Sequence, residues 1–317
     1  MSYIPKFFAI ISFVLICGLG GYQSVVSAAI PSKIVINIPS RTLSVYEDGR
    51  VLKEYSVGIG KASNQTPLGK FQIYYKEINP TWVESTPEGE PLTIASGPDN
   101  PLGYRWMEFS PTYGIHGTDQ PDSIGGFVSH GCVRMLERDV EEIYDDVPLG
   151  LPVEITYDRV LLKKSADKSL VLYIYPDNYA LLTLTPEDVY KKLATYNAVD
   201  LVARGDIVAA LCSTNTSEIN LGRVFALNIF GKKLTAVGYY SDGIAYIPVN
   251  PLVVEAKTAV NWDAASGFLT SAFGSVPGIV RNDRLYVARA DLYNLFHLYG
   301  NWHDSGAVMS LGREPEN

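Results

Sequence analysis

Cysteine and histidine are scarce in this chain, with 3 cysteines and 4 histidines among 317 residues. So few cysteines cannot form a framework of several disulfides. If Cys17 is removed with an N-terminal leader, only Cys132 and Cys212 remain to pair. Cys132 lies among glycine and histidines, whereas Cys212 follows the apolar segment IVAAL and is expected to be a small buried hydrophobe. Because these surroundings differ, we do not expect a Cys132–Cys212 disulfide.

Runs of lysine and arginine are absent, and the formal net charge is -8. Proteins that bind nucleic acid neutralise phosphates with clustered basic residues. Nucleic acid is therefore not an expected partner. The sequence also contains no HExxH motif and no second pair of metal ligands, so neither a metal nor another cofactor is expected.

The one long apolar run lies at the N-terminus. Lys6 precedes an apolar segment from Phe7 to Leu19, and the small residues at 26–28 provide a cleavage site after Ala28. The run is short for a membrane-spanning helix, which needs about 20 apolar residues. Residues 1–28 are therefore interpreted as a signal peptide, which predicts an exported protein of the cell wall, periplasm or extracellular space. An uncleaved membrane anchor is the alternative.

Tyrosine is abundant, at 21 residues. Tyrosine, valine and threonine favour half-buried strands, so a mainly β protein is expected. The segments IVINIP, TLSVYE and RVLKEYSVG are the first strand candidates, and Asp48-Gly49 predicts a hairpin between the last two. One further strand is expected in QIYYKEI, and others in YRWMEFS and YGIHGT. The Pro-, Gly- and Glu-rich residues 80–103 predict a long functional loop.

Two helices have clear local signals. Leu136, Val140, Ile143 and Val147 recur at helical spacing just after Cys132, with acidic residues on the other face. Thr185-Pro186-Glu187-Asp188 reads as an N-cap, a proline at the first helical position and acids in the first turn. This second helix is expected to run to about residue 196.

The polar stretch STNTSEINLG at 213–222 is taken as a domain boundary, so residues 29–215 are expected to fold on their own. Beyond it, YIPVNPLVVEAKTAVNW (246–262) and YVARADLYNLFHLYGNW (286–302) align without gaps. Each unit reads as strand, short helix and turn. The predicted order is a catalytic domain at 33–160, a helical extension and linker at 161–222, and a small α+β domain of two repeats at 223–313.

The stretch GGFVSHGCVRM carries the chemistry. A catalytic thiol needs a nearby base and donors for the oxyanion. Gly131 can let a carbonyl approach its amide, and a helix starting near Met135 would lower the pKa of the Cys132 thiol. His116, at a strand end, is the expected base, because the side chain of the adjacent His130 would diverge from the cysteine.

These residues resemble the signature of the L,D-transpeptidase (YkuD-type) catalytic domain, a His-Gly followed after a spacer by Ser-His-Gly-Cys, a hydrophobic residue and Arg or Asn. TPLGKF (66–71) and NPLGYRW (100–106) resemble two further family segments. The residues that match the signature are His116, Gly117, Ser129, His130, Gly131, Cys132, Val133 and Arg134.

The resemblance implies a mainly β sandwich with a few helices, in which the cysteine lies in a groove under a loop. It implies peptidoglycan stem peptides as substrate. Cys132 would attack the carbonyl of the diamino acid before a terminal D-alanine, with His116 transferring protons. An amine of a second stem would then give a 3→3 cross-link, and water would give carboxypeptidase activity.

The resemblance also implies roles for the remaining signature residues. The Gly117 region would orient His116, and the amides of Gly131 and Cys132 would form the oxyanion hole. Ser129, His130 and Arg134 would line the site.

Residues 223–313 resemble the small N-terminal domain of copper amine oxidases, which is not their copper-binding domain. A wall-binding or spacer module is expected there. Two other functions remain open. One is a zinc peptidase that uses His116, His130 and Cys132 with Asp119 or Asp122, and the other is a non-catalytic wall-binding protein. Oligomeric state is not predicted.

Overall fold

The fold is built mostly of strands, seen in a computed structural model that describes residues 31–84 and 89–314. The predicted signal peptide lies outside the described residues. Among the described residues, no helix is both long and apolar enough to span a membrane.

The first part of the chain forms two main sheets. Its strands are β1 (Lys33–Asn37), β2 (Thr42–Glu47), β3 (Arg50–Ser56), β4 (Ile59–Gly60), β5 (Gly69–Gln72), β6 (Tyr75–Ile78), β7 (Trp82–Glu84), β8 (Leu92–Ile94), β9 (Arg105–Ser110), β10 (Tyr113–His116), β11 (Phe127–Ser129), β12 (Val133–Arg134) and β13 (Pro152–Thr156). One sheet has the order β3-β2-β1-β13-β5 and the other the order β12-β10-β9-β6. The pairs β4–β11 and β7–β8 are separate two-stranded sheets.

A single hydrophobic cluster joins these two sheets and the helix α1 (Glu137–Tyr144). Ile34 and Ile36 of β1 are fully buried in it, as are Met107 of β9 and Ile115 of β10. The mainly β sandwich expected from the sequence is therefore confirmed. The Asp48-Gly49 hairpin is present, and both residues have positive φ, at 46° and 81°, as a primed hairpin turn requires.

The strand expected over QIYYKEI is in fact two strands in different sheets. β5 pairs with β13, whereas β6 pairs with β9. Between them the Ile73 amide donates to Leu151 and the Tyr74 amide donates to Glu108. The chain therefore crosses from one sheet to the other at this point.

The rest of the chain adds a larger sheet and four helices. The elements are β14 (Val160–Lys164), β15 (Leu170–Ile174), α2 (Pro186–Ala194), α3 (Arg204–Cys212), β16 (Ser217–Ile229), β17 (Lys232–Ser241), β18 (Ile244–Pro248), α4 (Val249–Ala256), β19 (Asn261–Asp263), β20 (Phe268–Thr270), β21 (Ser275–Arg281), β22 (Arg284–Ala288), α5 (Leu292–Phe296), β23 (Tyr299–His303) and β24 (Val308–Gly312). Short 3-10 helices occur at Pro121–Ser123, Val199–Leu201, Arg289–Asp291 and Asp304–Gly306. The predicted α2 begins at a capping box formed by Thr185 and Asp188.

The prediction of a linker at 213–222 is wrong. β16 runs through this region and pairs with β15 on one side and β17 on the other. Its alternating burial, with Leu221 fully buried, is that of a strand with one polar face. The segment at 161–222 contains β14 and β15 as well as helices, so it is not a helical extension.

The two aligned repeats have the same order of elements. β18 and β22 pair antiparallel so that Ile247 faces its repeat equivalent, Val287. The helices that follow, α4 and α5, end at equivalent residues with positive φ, Lys257 at 53° and His297 at 51°. The two aligned segments therefore pair with each other along β18 and β22 and end their helices at equivalent residues.

Candidate active site

Cys132 lies in the short loop between β11 and β12. The preceding Gly131 has φ +113°, and a Cβ there would come within 2.3 Å of the Tyr113 ring. Only glycine fits both this backbone conformation and this contact. The Cys132 side chain is partly buried, and its Sγ donates to the Thr112 carbonyl oxygen at 3.5 Å.

His116 ends β10 and lies on the same face of the sheet as Cys132. In the parallel β10–β12 ladder, Ile115 pairs with Val133 and His116 pairs with Arg134. Ile115 and Val133 point into the core. Because side chains alternate along a strand, Cys132, Arg134 and His116 face the opposite side.

The orientation of the His116 ring is fixed by its neighbours. Its Nδ1 donates to the Gly117 carbonyl oxygen at 2.6 Å, and the ring stacks on Trp106 with 5.6 Å between centroids. Since the carbonyl can only accept, Nδ1 carries the proton and Nε2 keeps its lone pair. Gly114 makes room for this stack, because a Cβ there would be 2.6 Å from the Trp106 ring.

Burial keeps both reactive groups neutral at rest. His116 is 3% exposed, and desolvation lowers its pKa from 6.5 to about 4. Desolvation raises the pKa of the Cys132 thiol, and this outweighs the opposing effects of the Gly114 amide and of Arg134. The prediction that a nearby helix lowers the pKa of the Cys132 thiol is therefore wrong. The two residues of β12 lie between Cys132 and the helix in the chain. Because α1 begins only at Glu137, five residues beyond Cys132, its N-terminus does not begin at the thiol.

Ser129 and Gly131 shape the loop rather than face the groove. The buried Ser129 hydroxyl donates to the Cys132 carbonyl oxygen at 2.6 Å and accepts from the Gly131 amide at 3.0 Å. The Gly131 amide is thus already hydrogen-bonded in this structure, contrary to its expected place in an oxyanion hole. Among the described residues, none accepts a hydrogen bond from the Cys132 amide.

His130 and Arg134 lie on different sides of the loop. The exposed His130 ring has its Nε2 3.3 Å from Lys61 Nζ. Alternation alone would place residues 130 and 132 on the same side of a strand, but Gly131, with φ +113°, interrupts the extended backbone between them. Arg134 donates to Gln120 Oε1 at 3.3 Å, and its positive charge lowers the pKa of both His116 and Cys132. No group of three or more potential metal ligands lies together within residues 31–84 and 89–314. The zinc alternative needs His116, His130 and Cys132 to form such a group, and within the described residues they do not.

Cys132 opens into a groove of about 440 Å³ above the outer face of the sheet. Trp106 and Glu108 of β9 form part of its floor, and Trp82 of β7 forms part of its cover. The Glu108 carboxylate is held by the Tyr74 hydroxyl and the Thr112 amide. The remaining lining residues are Tyr75, Glu77, Pro80, Thr81, Val83, Leu102 and Thr112.

Sequence reasoning missed three residues that support the site. Asn100 is fully buried and joins both ends of the loop, donating to the Pro80 and Ile94 carbonyl oxygens and accepting from the Leu102 amide. Asn100 stands in the NPLGYRW segment, which could have identified it.

The other two are Tyr179 and Glu137. The Tyr179 hydroxyl donates to the Gly60 carbonyl oxygen at 2.6 Å and accepts from the Thr66 amide, so it braces the TPLGKF turn from outside the catalytic region. Glu137 contacts Gly103 and Gly117. No local sequence signal marks either residue, because both contacts are long-range.

A thiol beside a buried imidazole with a free Nε2 is the arrangement of enzymes that transfer or hydrolyse acyl groups through cysteine. A profile of the YkuD L,D-transpeptidase catalytic domain matches residues 31–155. The chain is 38% identical over 132 residues to YqjB of Bacillus subtilis, covering 40% of this chain and 72% of YqjB. It is 36% identical over 145 residues to YkuD of the same organism, covering 44% and 77%. The chain belongs to the L,D-transpeptidase family, whose members act on peptidoglycan stem peptides.

Among solved structures, the catalytic domain of the E. faecium L,D-transpeptidase is 26% identical. The similarity covers 41% of this chain and all of that chain, with a TM-score of 0.33.

Proposed function

We propose that this chain is a cysteine acyltransferase that uses Cys132 to form 3→3 cross-links between peptidoglycan stems. The observation that carries the proposal is the β10–β12 ladder, in which Cys132 and His116 share one face while Gly117 fixes the His116 tautomer. His116 Nε2 is then the acceptor for the thiol proton. Hydrolysis by water is the competing second step.

In the first half-reaction, the Cys132 thiol gives its proton to His116 Nε2 while Sγ bonds to the carbonyl carbon of the diamino acid. The C–N bond to D-alanine then breaks, and His116 returns the proton to the leaving nitrogen. In the second half, an amine of another stem gives a proton to His116 and attacks the thioester. The C–S bond breaks, and the sulfur recovers the proton from His116.

The pKa directions support proton transfer during attack rather than a preformed ion pair. A raised thiol pKa and a lowered imidazole pKa both favour the neutral pair in the free enzyme. The thiolate therefore forms when the substrate carbonyl is in place to accept it.

The negative charge of the tetrahedral intermediate needs a hydrogen-bond donor. The Cys132 amide suits this role because no described residue accepts a hydrogen bond from it. The Gly131 amide can contribute only after leaving Ser129 Oγ. The carboxylates Glu77 and Glu108 line the groove and complement the ammonium group of a diamino acid.

The test is mass spectrometry after incubation with a muramyl tetrapeptide ending in diaminopimelate–D-alanine. We expect a covalent adduct at Cys132 and release of D-alanine, and neither in a Cys132→Ala variant that melts like the wild type. Adduct at another residue, or turnover by Cys132→Ala, would rule out this nucleophile. Loss of turnover on EDTA dialysis with recovery on adding zinc would favour the metallopeptidase instead.

The substrate lies outside the cytoplasm, so we also propose that residues 1–28 direct export. Lys6, the apolar run and the small residues before position 29 support cleavage there. The intact mass of the protein recovered from cells distinguishes cleavage after Ala28 from a retained anchor.

For residues 223–313 we propose a wall-binding module related to the N-terminal domain of copper amine oxidases. Its exposed side carries a stack of aromatic rings, with Phe273 and Tyr293 on either side of His297 at centroid distances of 4.2 and 4.8 Å. Exposed aromatic patches commonly mark binding surfaces. Co-sedimentation with purified sacculi should fall in a Phe273→Ala/Tyr293→Ala variant, and unchanged sedimentation would contradict the module.

A further inference from the structure

Glu137, the first residue of α1, lies between the loop that precedes β9 and the loop that follows the histidine strand β10. Its Oε1 accepts from the Tyr104 amide at 2.8 Å. Its Oε2 fills the space beside Gly103 and Gly117, since a Cβ on either glycine would come within 2.0 Å of this oxygen. These two glycines therefore make room for one carboxylate.

The same carboxylate reaches the peptide group that orients His116. The carbonyl of the Gly117–Thr118 peptide accepts from His116 Nδ1 at 2.6 Å. The Glu137 carboxylate packs against Gly117 at the other side of this peptide, where the Thr118 amide helps to lower the Glu137 pKa against the larger effect of burial. One rigid peptide plane thus lies between the imidazole, which is hydrogen-bonded to its carbonyl, and the carboxylate, which lies beside its amide.

We propose that Glu137 is a positioning residue for His116, acting through the Gly117–Thr118 peptide. The proposal rests on the acyl-transfer function given above. A carboxylate at the amide end polarises the peptide and makes the Gly117 oxygen a stronger acceptor, since hydrogen bonds in a chain reinforce one another. It holds the His116 tautomer at rest and stabilises the imidazolium that forms during attack.

The charged residues around His116 and Glu137 indicate which variants can serve as controls. Arg134 and Cys132 face His116, while Arg105 and Glu141 are the charged neighbours of Glu137. Glu141 lies one turn further along α1 and pairs with Arg105 at 3.4 Å. Glu141→Gln therefore removes the same charge from the same helix without touching the peptide.

The first readout is the ¹⁵N spectrum of the His116 imidazole in a Cys132→Ala background, which does not require turnover. We expect the Nδ1–H tautomer to dominate with Glu137 and to mix with Nε2–H in Glu137→Gln. Glu137→Asp should restore part of the Nδ1–H population, and Glu141→Gln should match the parent. An unchanged tautomer in Glu137→Gln would overturn the proposal.

The second readout is the rate of Cys132 acylation by the muramyl tetrapeptide, with Cys132 intact. Glu137→Gln should lose about tenfold, the lower end of what second-layer carboxylates contribute behind metal-bound histidines, and Glu141→Gln should stay near the wild type. An equal loss in both, or a loss in Glu137→Gln with no recovery in Glu137→Asp, would indicate a merely structural role and overturn the proposal. Absence of any wild-type acylation would instead refute the proposed function, and the tautomer spectra would still decide the role of Glu137.

Discussion

The buried neutral imidazole of His116 makes the stability of this protein depend on pH. In the unfolded chain His116 takes up a proton near pH 6.5, whereas in the folded protein it does so only near pH 4. Between these values the unfolded state binds more protons, so the free energy of unfolding falls as the pH falls. The loss is complete near pH 4 and absent above about pH 7.

The size of the effect follows from the two pKa values. Each pH unit within the window costs about 1.4 kcal/mol, and the whole window costs about 3 kcal/mol. Lowering the pH from 7 to 5 should therefore remove about 2 kcal/mol through this one residue. Against a total stability of about 5–15 kcal/mol, the change is readily measured.

The assay is urea denaturation at pH 7, 6 and 5, comparing the wild type with His116→Gln. Other groups titrate in both proteins, so the difference between their slopes isolates His116. His130→Gln is the matched control, because it removes an exposed imidazole close to His116 in sequence. Parallel pH dependence in the wild type and His116→Gln would show that His116 is not held neutral by burial.

Two further changes test the groove and the fold. Glu108→Gln removes a charge that raises the Cys132 pKa, so iodoacetamide should alkylate Cys132 at pH 7 faster, by about twofold to fivefold for an exposed charge interaction. The KM for the tetrapeptide should rise, and slower alkylation would contradict the assigned electrostatics. A chain of residues 29–215 loses β16, which exposes the edge of β15 and removes the buried Leu221, worth about 2 kcal/mol alone. It should melt well below the full chain in circular dichroism, and a wild-type melt with full turnover would restore the boundary at 213–222.

Local signals account for what the sequence predicted correctly. The Asp48-Gly49 turn and the Thr185 cap each depend on a few consecutive residues, and both are present. The β10–β12 register places His116 and Cys132 on one side of the sheet, as their sequence context led us to expect, and their catalytic roles stay a prediction.

Non-local pairing accounts for the errors. Nothing within QIYYKEI says that the chain changes sheets near Ile73, because Leu151 and Glu108 determine that crossing. The polar face of β16 resembles a linker until β15 and β17 are known to pair with it. Cys212 was expected to be buried, but it is exposed at the end of α3, and neither it nor Cys132 forms a disulfide among the described residues.

The resting state of the thiol also bears on where such an enzyme can work. Oxidation and alkylation act on the thiolate, so a cysteine with a lowered pKa is vulnerable whenever it is exposed. At this site burial raises the Cys132 pKa and lowers that of His116, which keeps the sulfur protonated while the groove is empty. In the proposed acyl transfer, the proton moves only when a substrate carbonyl is present to bond to the sulfur. For a chain proposed to act outside the cytoplasm, where oxidising conditions prevail, a protonated Cys132 would resist oxidation between the turnovers that we propose.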